Sequence, residues 1–314
     1  EAEEMLSDPE LRALAQEELA GARADMERLQ EELKAFLNEE YPLLPSRDLT
    51  FYAASAISRG WEQRRLKLLY ALLTAPTTVI TTWEALCLRT MPPELLRACA
   101  LTVTLDAPIT PEELIFRLTQ SGYSRCTLVE GVGQFAVRGG ILDVYSPMSA
   151  PVRVEFFDTE IDAMGEFDVA TQRRTKNLEE LTVLPAAEVL PFAAEGGRDA
   201  MLARMEHAAA QLAKKVTTEK TAAAIRTDMD RLREGLPLGG MDRYLAAAYP
   251  TAVCAADYLP EGSIVLVCEG SRVMERAKGC AFEWGEDLKI LLEEGTLAGQ
   301  FASLAVELED LTRR

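Results

Sequence analysis

The sequence predicts an α/β protein that is preceded by a long helix, and three stretches carry this prediction. Apolar residues recur at steps of three and four over residues 1–35, which is the period of an amphipathic helix. Residues 133–174 contain short alternating segments separated by turns, as expected of β-strands. Ser263–Cys268 is a continuous, β-branched apolar run between Gly262 and Gly270, which is typical of a buried strand.

Length and composition limit the kind of protein that this chain can be. With 314 residues, 48% of them hydrophobic, it can bury the cores of two or three domains. Its net charge of -18 and its pI near 4.6 argue against nonspecific nucleic-acid binding, which depends on Lys and Arg contacts to phosphates. Half of that charge comes from residues 1–40, which hold 13 acids and 4 bases.

The cysteines and the histidine form no metal-binding or catalytic motif. There is no CxxC pair, and His207 is the only histidine. We therefore expect no metal site, no catalytic residue, and cysteines that are small buried residues in a reducing cytoplasm. No signal peptide and no run of 18 apolar residues occurs, so a soluble, cytoplasmic chain is predicted. The six cysteines are Cys87, Cys99, Cys126, Cys254, Cys268 and Cys280.

The first segment, residues 1–35, is predicted to be one helix. Asp8 is a suitable N-cap, and Pro9 occupies the first helical position, where the missing N–H costs nothing. The apolar seam of this helix has charged flanks, which is typical of a helical hairpin or a coiled coil. The members of the seam are Leu11, Ala15, Leu19, Ala22, Met26, Leu29, Leu33 and Phe36.

The second segment, residues 36–98, is predicted to be α/β. Its pattern contains two short strands and two helices, and the pair Pro92 and Pro93 marks a break near its end. The predicted strands are Leu43–Pro45 and Thr77–Thr81, and the predicted helices are Glu62–Leu73 and one that begins with Trp83–Arg89.

The third segment, residues 99–190, is predicted to be an α+β domain. Thr110 and Pro111 begin a helix that runs to Ser121, and Gly122 ends it. Strands precede and follow this helix, at Leu101–Leu105, within 133–174 and at Leu181–Leu184.

The fourth segment, residues 191–314, combines helices with the predicted buried strand. An Ala-rich helical stretch covers about 198–233, and two further helical stretches end the chain. Glu269, directly after Ser263–Cys268, is predicted to be the solvated end of that strand.

One predicted strand, Pro151–Phe157, has two different faces. Alternation places Val152, Val154 and Phe156 on one face, and Arg153, Glu155 and Phe157 on the other. The second face should be wet because it carries two charges, yet it ends in an aromatic residue. Arg together with aromatic residues is the composition of interface hot spots. Phe157 is therefore either a contact residue or a side chain that turns inward beside the Asp158–Thr159 turn.

Three short runs resemble one known family. They are GQFAVRGG at 133–140, RVEFF at 153–157, and Phe167-Asp168 followed by Gln172-Arg173. These runs resemble the second domain of the bacterial transcription-repair coupling factor (Mfd), which is itself similar to a domain of the excision-repair helicase subunit UvrB. The resemblance extends from about Phe36 to near the C-terminus.

The resemblance implies a docking role for residues 99–190. In that family the domain binds the damage-recognition subunit UvrA, and the matching positions in this chain are Arg138, Arg153 and Phe157. The resemblance also implies a UvrB-like fold, in which residues 36–98 are an incomplete RecA-like half-domain and residues 191–314 are its returning part.

The resemblance further implies that this chain is not itself an enzyme. No Gly-x-x-x-x-Gly-Lys-[Ser/Thr] phosphate loop occurs, so we expect no ATP binding and no cofactor. In the family, the full-length protein is an ATP-dependent DNA translocase that displaces stalled RNA polymerase. Its ATP and magnesium, and its contacts to RNA polymerase and DNA, are expected in parts outside this sequence. What is implied here is a non-catalytic fragment that recruits UvrA in transcription-coupled nucleotide excision repair, with no membrane partner.

Residues 1–35 resemble a different family. The run EMLSDPELRALAQEEL at 4–19 is similar to the N-terminal helical domain of class I peptide-chain release factors, although Gly131–Gln134 is not their Gly-Gly-Gln catalytic loop. The two resemblances meet near Glu32–Phe36, at either a natural fusion or an assembly artefact. We expect the helix to behave as an appendage, and the incomplete half-domain to expose an apolar flank or an unpaired sheet edge.

Two other classes of function stay open on this sequence. One is a fragment of a UvrB-type ATP-dependent DNA helicase, against which the missing phosphate loop counts. The other is a helical adaptor derived from a release factor, which only residues 1–35 support. Copurification of UvrA, DNA-stimulated ATP turnover and cosedimentation with ribosomes are the observations that separate the three classes.

Overall fold

The structure is a computed structural model that describes residues 27–35, 38–47, 49, 51 and 60–311. Residues 27–35 are helical (α1), as predicted, and the seam residues Leu29 and Leu33 are half-buried there. The other predicted members of the seam and the cap Asp8 lie outside the described residues.

A short parallel sheet and three helices precede the central part of the chain. The two strands pair along their whole length, with Leu43 opposite Ile80, so only the end of the predicted strand 77–81 is formed. The elements are β1 (Leu43–Leu44), α2 (Gly60–Thr74), β2 (Ile80–Thr81), α3 (Trp83–Cys87) and α4 (Pro93–Cys99). The predicted break at Pro92 and Pro93 is confirmed, because α4 begins with Pro93.

The central part contains a two-stranded and a six-stranded sheet. In the small sheet, β3 (Leu101–Thr104) and β10 (Glu180–Val183) are antiparallel, and helix α5 (Pro111–Gln120) follows β3. The large sheet has the order β4-β5-β6-β7-β8-β9, with β4 parallel to β5 and all other neighbours antiparallel. Its strands are β4 (Ser124–Cys126), β5 (Gln134–Arg138), β6 (Ile141–Val144), β7 (Val152–Phe157), β8 (Glu160–Phe167) and β9 (Arg174–Leu178).

The last part of the described chain is helical. The predicted Ala-rich helical stretch is two helices, because the chain turns at Lys214–Thr218 between them. The helices are α6 (Gly197–Leu212), α7 (Glu219–Arg233), α8 (Leu245–Ala248), α9 (Gly270–Glu293) and α10 (Leu308–Leu311). Within the described ranges, no helix is long and apolar enough to cross a membrane.

Two large cores and one small core stabilise these elements. The first core combines residues from 44–96 with residues from 187–301, so the parts before and after the six-stranded sheet pack together. The second core lies between the inner face of the six-stranded sheet, α5 and the β3–β10 pair. A small third core of Val129, Ala136 and Phe167 lies on the opposite, outer face of the sheet. The chain is thus a mixed α and β protein, whereas a RecA-like half-domain stays a prediction.

The prediction of a buried strand at Ser263–Cys268 is wrong. These residues pair with no strand of the described chain, and every residue from 261 to 270 is exposed. A buried strand needs hydrogen-bonding neighbours and apolar cover on both faces, and the two-residue strands β1 and β2 provide neither for this segment. Cys268 is therefore exposed, against expectation, whereas Cys87, Cys254 and Cys280 are buried as predicted.

A buried group of charges connects the end of the central part to the first core. The Glu188 side chain has no exposed surface; its Oε2 lies 3.3 Å from Arg47 Nη1 and its Oε1 3.3 Å from Arg65 Nε. Thr90 Oγ1 donates to Glu188 Oε2 at 2.6 Å, and Arg47 also pairs with Asp242 at 3.0 Å. Segments far apart in sequence are thereby joined at one carboxylate.

Candidate docking face on the six-stranded sheet

The two faces of β7 follow the alternation that the sequence predicts. Val152 and Val154 are fully buried in the second core, whereas Arg153 and Glu155 lie on the outer face of the sheet. Arg153 is directly opposite Asp143 of the neighbouring strand β6. We use the term docking face for the outer-face residues Arg138, Asp143, Arg153 and Phe157.

Asp143 and Arg153 form a two-point ion pair across the neighbouring strands. Arg153 Nε donates to Asp143 Oδ1 at 2.7 Å, and Arg153 Nη2 donates to Asp143 Oδ2 at 2.9 Å. This is the parallel geometry in which a guanidinium binds a carboxylate most specifically. The hydrogen bonds that Arg153 donates to Asp143 raise the pKa of Arg153 above its ordinary value.

Arg153 also contacts two residues on its other flank, one at the end of β8 and one in the loop between β8 and β9. Its guanidinium lies over the ring of Phe167, 5.0 Å from the ring centre, and its Nη1 donates to the backbone oxygen of Gln172 at 3.2 Å. Phe167 and Gln172 belong to the runs that carry the family resemblance. Three separate stretches of the sequence therefore meet around one arginine.

Arg138 ends β5 and reaches the same carboxylate. Its Nη2 donates to Asp143 Oδ2 at 2.7 Å, and its side chain is 45% exposed. The Gly139–Gly140 turn permits this placement, because Gly139 has a φ of +58° and a Cβ on Gly140 would lie 2.7 Å from the backbone oxygen of Phe156. The two glycines thus let the β5–β6 hairpin lie against β7.

Phe157 lies at the end of β7 and is 78% exposed. The interpretation that Phe157 turns inward beside Asp158 is therefore wrong, and its role as a contact residue stays a prediction. It lies four residues further along the strand than Arg153, which is roughly 13 Å at 3.3 Å per residue. The structure therefore brings Arg138 and Arg153 together on Asp143 and leaves Phe157 apart, at the tip of the β7–β8 hairpin.

The docking face can bind an acidic group at its arginines and an apolar group at Phe157. Two guanidinium groups share one carboxylate, so this cluster carries one net positive charge. Between it and Phe157, Glu155 is paired with Arg174 of β9 at 3.1 Å. No cluster of three or more metal-ligating side chains is found in the part of the chain that the structure describes.

Asp143 is the residue of this face that sequence reasoning missed. A signal existed: alternation places Asp143 on the charged face of β6, and its strand neighbour β7 carries Arg153 on the same face. The cross-strand register that joins the two residues could not be read from either strand alone.

Comparison with known proteins shows what this part of the chain is similar to. The family model described as "UvrB interaction domain" matches residues 101–189, which include the whole docking face. The chain is 28% identical to the transcription-repair-coupling factor of Bacillus subtilis over 86% of this chain and 23% of that protein. It is 34% identical to the coupling factors of Myxococcus xanthus, over 58% of this chain and 15% of that protein, and of Mycobacterium tuberculosis, over 66% and 16%.

The chain spans about a quarter or less of the length of the relatives it matches. The resemblance of residues 36–314 to coupling factors is confirmed, whereas that of residues 1–35 to release factors stays a prediction. Residues 101–189 therefore match the UvrB interaction domain, and the chain is similar to an N-terminal region of the transcription-repair-coupling factors.

Proposed function

We propose that this chain recruits UvrA in transcription-coupled nucleotide excision repair, and that it does so through the docking face. The observation that carries the proposal is the arrangement of Arg138 and Arg153 around Asp143, with Phe157 exposed on the same strand as Arg153, at the tip of the β7–β8 hairpin. The match of residues 101–189 to the UvrB interaction domain supports it.

Exposure and charge both favour a protein contact at this face. A phenylalanine with 78% of its surface in water contributes little to the fold, but it can bury a large area against a partner. The cluster is positive, whereas the chain as a whole has a net charge of -18. An acidic partner surface is therefore attracted to this cluster, which favours one orientation of the chain in the complex.

In this proposal the chain is a docking module and not an enzyme. Residues 99–190 bind UvrA, and residues 36–98 and 191–314 are two parts of one α/β domain, which their shared core supports. ATP and magnesium, and the contacts to RNA polymerase and DNA, belong to other parts of a longer coupling factor. The absence of a phosphate-loop motif supports this division.

The test is the affinity for purified UvrA, measured by calorimetry. Arg138→Ala and Phe157→Ala should each weaken binding by roughly tenfold or more, about 1.4 kcal/mol, because each removes a central contact. Arg138→Ala is preferred to Arg138→Glu, since a second carboxylate would also repel Asp143 inside the chain. Asp143 stays paired in Arg138→Ala, because Arg153 still binds both of its oxygens.

Helix α5 offers matched controls of the same residue types. Phe116 is 62% exposed, and Arg117 is an exposed arginine paired with Glu113 at 2.7 Å. Leu114 and Leu118 pack this helix against the inner face of the sheet, so Phe116 and Arg117 are remote from the docking face. Phe116→Ala and Arg117→Ala should bind UvrA as the wild type does. Equal affinity of the docking-face variants and the controls would remove the proposal.

A further inference from the structure

Asp143 is the residue that joins the two arginines of the docking face. It lies on β6 between β5 and β7, and its side chain is 1% exposed. Its Oδ1 accepts a hydrogen bond from Arg153, and its Oδ2 accepts from Arg153 and from Arg138. The carboxylate is therefore covered by the two guanidinium groups and is not presented to a partner.

Arg153 has little left with which to bind a partner. All three of its guanidinium nitrogens donate within the chain: two to Asp143, and the third to the backbone oxygen of Gln172. One face of the guanidinium lies against the ring of Phe167, and the side chain is only 15% exposed. Its position is that of a support for Asp143.

Arg138, unlike Arg153, is exposed and makes few bonds within the described part of the chain. Among the described residues, its guanidinium makes one ion pair, through Nη2 to Asp143, and the side chain is 45% exposed. A guanidinium has five N–H donors, and in the described part of the chain the bond to Asp143 uses one of those of Arg138. Of the two arginines, Arg138 is therefore the one that can bind a partner's carboxylate directly.

We propose that Asp143 is a positioning residue. It fixes the guanidinium of Arg138 on the docking face, and Arg153 of the neighbouring strand β7 fixes Asp143 in turn. This inference rests on the proposed function, because it concerns the same face and the same partner. An exposed arginine side chain has many rotamers, and ordering it at an interface costs binding free energy. An ion pair to a buried, immobile carboxylate removes part of that cost before the partner arrives.

Removing the charge of Asp143 separates positioning from simple charge attraction. Asp143→Asn raises the net charge of the cluster by one unit, which by itself attracts an acidic partner more strongly. It also breaks the ion pair that orders Arg138, which weakens binding. Measurements at about 0.5 M salt screen the first effect and leave the second, since the Debye length is then only about 4 Å.

The experiment is a double-mutant cycle against purified UvrA, with Asp143→Asn, Arg138→Ala and the combined variant. Asp143→Asn should weaken binding by roughly 3- to 10-fold when Arg138 is present. In the Arg138→Ala background the same change should have less than about a twofold effect, because its target is gone. Equal losses in both backgrounds would mean a general structural effect, and tighter binding of Asp143→Asn would mean that Asp143 competes with the partner; either result overturns the inference.

The remaining outcomes distinguish this inference from the proposed function. If Arg138→Ala weakens binding and Asp143→Asn does not, the positioning role fails and the docking role stands. If Arg138→Ala leaves the affinity unchanged, the positioning role fails, and the docking role fails with it if Phe157→Ala also binds as the wild type does. Should Asp143→Asn not fold, as circular dichroism would show, Arg153→Lys replaces it in the cycle. That variant keeps the charge but loses the planar fork that holds both oxygens of Asp143, so its effect should depend on Arg138 in the same way.

Discussion

Glu188 is a carboxylate without exposed surface on which two buried arginines depend. Arg47 and Arg65 both lie 3.3 Å from it. Burial lowers the pKa of Arg65 below its ordinary value, so its charge is stabilised in the interior mainly by Glu188. Arg65 Nη1 also donates to the backbone oxygens of Pro45 and Ala85, which fixes the guanidinium in place.

Glu188→Gln should therefore be strongly destabilising. The change keeps the shape of the side chain but leaves the desolvated Arg65 without its carboxylate partner and Arg47 with Asp242 but without Glu188, a loss of about 3–5 kcal/mol in the free energy of unfolding. Urea denaturation of the whole chain measures it. The matched control is Glu286→Gln on the exposed side of α9, which should change stability by less than about 0.5 kcal/mol. A loss below about 1 kcal/mol for Glu188→Gln would show that the charges are not coupled as the structure has them.

Individual residues differ in how far the sequence predicts their role. The outward position of Arg153 follows from strand alternation, and the outward side chain of Phe157 was one of two alternatives. The part played by Asp143 depends on the pairing of β6 with β7, and that of Glu188 on contacts between segments about 100 residues apart or more. Local periodicity specifies neither the register of β6 against β7 nor these distant contacts.

At the level of elements, the sequence correctly predicted features that depend only on neighbouring residues, such as the two ends of α5. The predicted cap of α5 is present, since Thr110 Oγ1 accepts from the backbone N–H of Glu113 at 3.2 Å, and Gly122 after the helix has a φ of +83°. The prediction of a strand at Ser263–Cys268 was wrong because a buried strand also requires neighbouring strands, which the composition of this run cannot specify. An incomplete half-domain was expected to expose an apolar flank. That Ser263–Cys268 is exposed for this reason stays a prediction.

The exposed segment provides an element-scale prediction. Leu266 is 85% exposed, so Leu266→Ala should change the free energy of unfolding by less than about 0.5 kcal/mol. The comparison is Leu96→Ala in the first core, where a fully buried leucine should cost about 2–5 kcal/mol. Urea denaturation of both variants is the measurement. A cost of several kcal/mol at position 266 would contradict this prediction, because it would mean that Leu266 is packed in a core.

On the scale of the whole molecule, the docking face is separate from the large core. The core that joins residues 44–96 with residues 187–301 contains no residue of the six-stranded sheet, and the docking face lies on the side of that sheet opposite α5. The sequence predicted the mixed α and β character and the docking strands. The shared core and the buried charges at Glu188 required the structure, because they join distant parts of the chain.

The central claim is that Phe157 and its neighbours contact UvrA, and photo-cross-linking tests it most directly. A benzophenone amino acid in place of Phe157 should cross-link the chain to purified UvrA under ultraviolet light. The same amino acid in place of Phe116, which is also exposed but lies on α5, should give no cross-linked product. Cross-linking that is absent at position 157, or equally strong at position 116, would contradict the assignment of this face.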